Sequence, residues 1–207
     1  MKLKKKSNLL KALPFLLLMN CQTKTPTVTL PIIGEKKIVN GDTVYHRIGA
    51  FKLLNQSGDT VNENTVKGKI YVANFFFATC QSICPKMSNY LVWVQKQFKE
   101  VDSVLILSHS VNPMHDTVAV LANYAGTYGA IKNKWHLLTG NKKLIYDLAK
   151  TSYLVNALED DGSAEGFLHS NLFLLVDGEG RIRGTYDGTD SLSVVQLIND
   201  VQVLRRH

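Results

Sequence analysis

The chain has 207 residues and a mass of 23.1 kDa, with 45% hydrophobic and 20% charged residues. That is room for one domain of about 150 to 170 residues plus a tail, and the balance excludes both wholesale disorder and a polytopic membrane protein. The formal charge of +7 suggests an anionic partner only until its position is noted. Five lysines fall within the first eleven residues, and without them the remainder is near +2, so nothing argues for nucleic acid.

Residues 1–20 (MKLKKKSNLLKALPFLLLMN) begin with a basic stretch and continue as a short apolar run from Leu9 to Met19, interrupted by Pro14. This is the layout of an export signal, because a spanning helix needs about 20 apolar residues. Leu16-Leu17-Leu18-Met19-Asn20-Cys21 resembles the lipobox of bacterial lipoproteins, in which the cysteine is acylated and becomes the first residue. Asn20 departs from the usual Gly, Ala or Ser. The expectation is an exported lipoprotein, anchored to a lipid membrane through Cys21 and facing the periplasm. Residues 21–34 are polar, carry Pro26 and Pro31 and read as a tether, leaving 35–207 as the folded domain. With Cys21 lipidated, that domain holds two cysteines, Cys80 and Cys84. A bridge across so few residues constrains the unfolded chain little, so the pair is not there as a staple.

In the domain, Lys36 to Val39 and Thr43 to Arg47 flank Asn40-Gly41, a two-residue hairpin signal. Phe51 to Asn55 and Thr60-Val61 flank Gln56-Ser57-Gly58-Asp59, giving a second hairpin. Lys69 to Phe77 (KIYVANFFF) is nearly unbroken apolar sequence, as a strand buried on both faces requires, and is expected at the centre of the sheet. Ile83, Met87, Leu91, Val94 and Phe98 then recur with helical spacing, with Pro85 tolerated in the first turn. Val104 to Ser110 predicts a buried strand, and a helix follows with Val118, Leu121, Ala122, Ala125 and Tyr128 on one face. Trp135 to Thr139 predicts a third strand, and Leu144, Ile145 and Leu148 a helix. Leu172 to Val176 and Ile182 to Tyr186 flank Asp177-Gly178-Glu179-Gly180 as an antiparallel hairpin, and Ser191 to Leu204 closes as a helix. After the N-terminal hairpins, strands that alternate with helices and end in a hairpin and a helix imply an α/β fold. Its mixed sheet is flanked by helices, the thioredoxin-like arrangement.

Cys80 and Cys84 stand where the central strand gives way to its helix, at the sheet edge where open α/β folds place their sites. If both lie on the helix they share a face, with Cα atoms about 6 Å apart. That separation suits a soft metal held by two thiolates or a reversible disulfide, and a helix N-terminus lowers thiol pKa for either use. Two thiolates leave a metal incompletely held. The candidate third ligand is His169, in a loop opposite the cysteine turn where thioredoxin-like redox enzymes carry a cis-proline; no proline follows Pro113 in this chain. His46 and His207 are expected in solvent, and His136 packed within its strand. His109 and His115 bracket a loop on the cysteine rim and could assist a metal; Met114 between them is a soft donor, although a lone methionine is more often apolar filler.

FFFATCQSICPKM at Phe75 to Met87 resembles the cysteine motif of the Sco/SenC family of copper chaperones. SVNPMHDT at Ser110 to Thr117, WHLLTG at Trp135 to Gly140 and HSNLFLLVDGEG at His169 to Gly180 resemble three further motifs of that family, in the same order. The resemblance covers about residues 40 to 205 and implies that Cys80, Cys84 and His169 ligate copper, as Cu(I) or Cu(II). It further implies a metallochaperone rather than an enzyme, whose partner is the copper A subunit of cytochrome c oxidase and whose task is assembly of the binuclear copper A site. Two positions depart from the pattern: Gln81 replaces a proline, and Asn112 replaces an aspartate. Zinc fits poorly, because its sites usually take four ligands or three plus water. The rival function is a thiol-disulfide reductase that keeps oxidase cysteines reduced, with Cys80 and Cys84 as the redox pair. Peroxide scavenging ranks last, since no activating arginine lies between Arg47 and Arg181.

Overall fold

The computed structural model describes residues 29–155 and 170–206. Its first hairpin pairs β1 (Lys36–Val39) with β2 (Asp42–Tyr45), and its second pairs β3 (Lys52–Leu54) with β4 (Thr60–Asn62). Asn40 and Gly41 take φ of 52° and 88°, the two positive values that a type I′ turn demands. A short helix, α1 (Glu63–Val66), follows without an apolar period to announce it. It forms because Asn62 and Thr65 make a capping box, each side chain accepting from the other's backbone amide.

The main sheet contains β5 (Ile70–Phe76), β6 (Val104–Ser110), β7 (Trp135–Leu138), β8 (Leu172–Val176) and β9 (Ile182–Asp187), ordered β7-β6-β5-β8-β9. β5, β6 and β7 run parallel, β8 joins β5 antiparallel, and β9 pairs antiparallel with β8. The predicted central strand is β5, and all of its residues are buried, which explains the unbroken apolar run. Within this core Trp135 Nε1 donates to Ser108 Oγ (2.9 Å), which donates to Asn74 Oδ1 (2.6 Å), so the polar residues of three adjacent strands satisfy one another.

Helices α2 (Cys84–Gln97), α3 (Val118–Tyr128), α4 (Lys142–Asp147) and α5 (Ser191–Leu204) cover the sheet, and a π-helical turn, Leu148–Ser152, extends α4. Side chains alternate along β5. Phe76 meets Tyr124 of α3, whose hydroxyl lies 2.7 Å from Ser88 Oγ of α2, so α2 and α3 share that face. Phe75 points the other way, against His109 and Tyr153, with Phe51 beyond the His109 ring. In α2 the buried Met87, Leu91 and Val94 form the stripe that binds the helix to the sheet. Leu91→Ala would remove about 3 kcal/mol of that packing.

Two expectations need correction. Ala122 is exposed on α3, and Tyr124 turns inward instead because its ring reaches Phe76 and a methyl group cannot. His46 is not free in solvent: its Nε2 lies 2.7 Å from the Ser152 carbonyl, tying the first hairpin to the π-helical turn. His207 lies outside the described residues, as do the signal and lipobox residues.

Candidate metal centre

The loop between β5 and α2 carries the cysteines. The pair does not share a helical face, since α2 begins at Cys84 with Ile83 as its N-cap. Pro85 sets this boundary: carrying the helix back over Cys80 would require the Pro85 nitrogen to donate to the Gln81 carbonyl, and proline has no N–H. Cys80 is held by its own amide, which donates to the Phe77 carbonyl (3.2 Å). Neither cysteine is in a disulfide, and their exposures are only 6% and 4%.

The Cys80 thiol sits below its ordinary pKa. Burial pushes it up, but hydrogen bonds from the Cys84 side chain, the Ser82 hydroxyl and the backbone of Cys84 and Ser82 more than offset that. Ser82 Oγ lies 3.5 Å from Cys80 Sγ. The helix start therefore directs its donors at one sulfur, and the result is a thiol poised to become a thiolate beside a second thiol. Two adjacent sulfurs of this kind can grip a soft ion or form a disulfide.

Behind the cysteine loop lies Asp116, which is fully buried. Its Oδ2 accepts from the Ala78 amide (3.0 Å) and the Ser110 hydroxyl (2.5 Å), and its Oδ1 lies 2.8 Å from His115 Nδ1. The Val111 amide bonds the Phe76 carbonyl at 2.9 Å, so the cysteine loop and the 110–116 loop are tied together at two points. Asp116 falls within the Ser110 to Thr117 motif, but nothing in residue spacing reveals that its carboxylate will be buried.

The remaining candidates separate clearly. His109 is sealed among Phe51, Phe75 and Tyr153, and its Nε2 has no hydrogen-bond partner, so it is a core residue and does not assist the rim. His136 is packed as expected, beside Asn55 Nδ2 at 3.4 Å. His115 is on the rim, and Met114 is 85% exposed, so it fills no core. Gln81 is exposed, and Asn112 uses its backbone to close the turn, its carbonyl accepting from the His115 and Asp116 amides. His169 and Cys21 lie outside the described residues. Ser170, next in sequence to His169, is buried and accepts from the Leu172 amide (3.3 Å). Among the described residues no three His, Cys, Asp or Glu side chains converge as a metal-binding group. What they offer is the thiol pair.

The SCO1/SenC family matches residues 41–204. The chain belongs to that family. A SCO1 protein homolog of Bacillus subtilis is 29% identical over 163 residues, 78% of this chain and 84% of the relative. Among solved structures, a SCO1/SenC family lipoprotein from Bacillus anthracis superposes with a TM-score of 0.70 at 28% identity, covering 77% of this chain and 95% of that one. ScoI of Bradyrhizobium japonicum, solved with copper bound, superposes with a TM-score of 0.62 at 25% identity, covering 75% of this chain and 98% of that one. BsSco, described as a member of the Sco family of cytochrome c oxidase assembly proteins and as carrying a disulfide switch, reaches 0.68 at 29% identity, covering 78% and 94%. Family membership and these superpositions establish the thioredoxin-like fold. No helix among the described residues is long and apolar enough to cross a membrane.

Proposed function

We propose that this chain is a copper chaperone which, exported and lipid-anchored through Cys21, delivers copper for the binuclear copper A site of cytochrome c oxidase. Copper is the cargo. Cys80 and Cys84 supply thiolates for Cu(I), and His169 adds the nitrogen that makes Cu(II) acceptable. The observation that carries this reading is the pair of reduced thiols where the β5–α2 loop meets its helix, one of them held below its ordinary pKa by donors at the helix start. Relatives solved with copper bound and a relative described as an oxidase assembly protein support it. X-ray absorption of the reduced full chain loaded with one copper tests it: two sulfur neighbours are expected, and a shell of oxygen and nitrogen alone overturns it.

The same thiols favour a second function, reduction of a disulfide in the client. His169→Ala separates the two. A chaperone loses Cu(II) affinity while its cysteines still cycle; a reductase keeps its turnover with an oxidised target. Unchanged Cu(II) affinity would remove His169 from the site.

A further inference from the structure

We propose that Met114 and His115 form a second, weaker Cu(I) site on the rim, an entry station from which the ion passes to Cys80 and Cys84; this rests on the copper function proposed above. Met114 is the starting observation. Its side chain is 85% exposed, although methionine ordinarily fills gaps in a core. The backbone enforces this exposure: the His115 and Asp116 amides both bond the Asn112 carbonyl (3.1 and 2.9 Å), so Met114 stands at the tip of a closed turn.

His115 supplies the second donor. Its Nδ1 lies 2.8 Å from Asp116 Oδ1, its side chain is 49% exposed, and Nε2 has no partner among the described residues. An imidazole that gives Nδ1–H to a carboxylate presents the Nε2 lone pair outward in a fixed orientation, which is how proteins aim a metal-ligating histidine. The carboxylate doing the aiming is fully buried and cannot wander, since its other oxygen holds the Ala78 amide and the Ser110 hydroxyl. A thioether and an imidazole, adjacent in sequence, match the preference of Cu(I) for soft ligands.

The arrangement also sets a direction of transfer. Both station donors are neutral, whereas the cysteine pair offers sulfur anions, so Cu(I) is held more tightly at the cysteines. Asp116 spans the two places, holding His115 on one oxygen and Ala78, two residues ahead of Cys80, on the other. In the transfer the copper–thioether and copper–imidazole bonds break as copper–thiolate bonds form. The thiol protons leave to solvent, and the ion remains Cu(I) throughout.

The test uses the full chain, reduced and anaerobic, with Cys21→Ser, Cys80→Ser and Cys84→Ser so that no thiol remains. Titration with Cu(I) against a competing chelator should still show one weakly bound ion, with the Met114 methyl and His115 ring resonances shifting together. Adding Met114→Leu or His115→Ala should weaken that binding by about tenfold. Adding His169→Ala should not. With the cysteines intact, Met114→Leu should leave equilibrium affinity unchanged and slow Cu(I) uptake in stopped flow. The proposal is overturned if the thiol-free chain retains no Cu(I), or if retention ignores both rim substitutions. A station that binds while the cysteine pair does not would instead overturn the chaperone function.

Discussion

Two buried carboxylates hold opposite ends of the sheet, and they are used differently. Asp177, at the β8–β9 turn, accepts from the Glu179 and Arg181 amides (3.0 Å each), from Arg181 Nε (2.9 Å) and from Arg183 Nη1 (2.8 Å). Burial pushes its pKa up, but the Arg181 amide and the Arg183 and Arg181 guanidinium groups outweigh that and hold it below the usual carboxylate range. Arg183 also bonds the Leu30 and Pro31 carbonyls (2.6 and 2.8 Å), fixing the incoming chain to the domain. These partners are permanent cations tucked against the turn, and the cluster is closed. Asp116, at the cysteine end, instead holds a loop amide, a hydroxyl and an imidazole that stands half in water. The same device locks the fold at one end and, at the other, steadies residues that remain open to a ligand.

That contrast breaks most visibly at Asp177. Asp177→Ala leaves the nearly buried Arg183 guanidinium without its anion and Arg181 with Glu179 alone, and should cost about 3 kcal/mol. Calorimetry should show a melting temperature lower by about 10 °C, with copper stoichiometry unchanged below the transition. Loss of copper binding in the folded variant would end the division of labour between the two ends.

Next in size is His109, a titratable group with no counter-charge. Burial lowers its pKa from 6.5 to about 4. The unfolded chain takes up a proton below pH 6.5 that the folded state refuses until about pH 4, so stability falls as pH drops through that window. The loss should reach about 2 to 3 kcal/mol near the lower end. Asp177 contributes a loss of the same sign on acidification, through its depressed pKa. Urea unfolding at several pH values should therefore compare the parent with His109→Phe, in which the ring packing survives and the His109 share of the slope disappears. An unchanged slope would show that His109 does not stay neutral in the fold.

Asp116→Asn should be milder in stability, about 1 kcal/mol, because an amide oxygen still accepts from Ala78. In the thiol-free chain its rim Cu(I) affinity should fall about tenfold, as when the orienting partner of a metal ligand is lost, while affinity with the cysteines intact should not change. Lower stability with unaltered rim Cu(I) binding in the thiol-free chain would reduce Asp116 to a purely structural residue. Smallest of all is Arg47→Ala. Its ion pair with Glu179 spans 2.8 Å, but both side chains are 51% exposed, so the change should be about 0.3 kcal/mol in chemical denaturation.

The sheet and its principal helices were legible in the sequence because apolar period and turn chemistry act locally: KIYVANFFF announces β5, and Asn40-Gly41 the first hairpin. The cysteine pair was legible as chemistry, and the four spaced motifs resembled the correct family. Placing Cys80 on the helix failed, because the lack of an N–H on Pro85 outweighed the i, i+4 spacing. Helix α1 was invisible, since four residues held by a cap have no period. The roles of His46, His109 and Asp116 depend on partners distant in sequence or on burial, and composition carries neither. His109, Met114 and His115 stand close together in sequence, and only the turn geometry separates the sealed His109 from the open His115.

The sheet edges carry a consequence for how any client approaches. On β7, the Gln56 amide mimics a strand, donating to the Trp135 carbonyl (2.7 Å) and accepting from the Leu137 amide (2.9 Å), while Leu54 pairs with Thr139. On β9, Ile33 pairs with Ile182 and Arg183 grips the residues before it. The β7 rail and the start of the β9 rail are thus already taken by the chain's own N-terminal half. A partner that tried to add a strand along β7 or at the start of β9 would first have to evict Gln56 or Ile33, so strand addition is guarded there. The same plugs discourage neighbouring copies of the chain from zipping together along those edges.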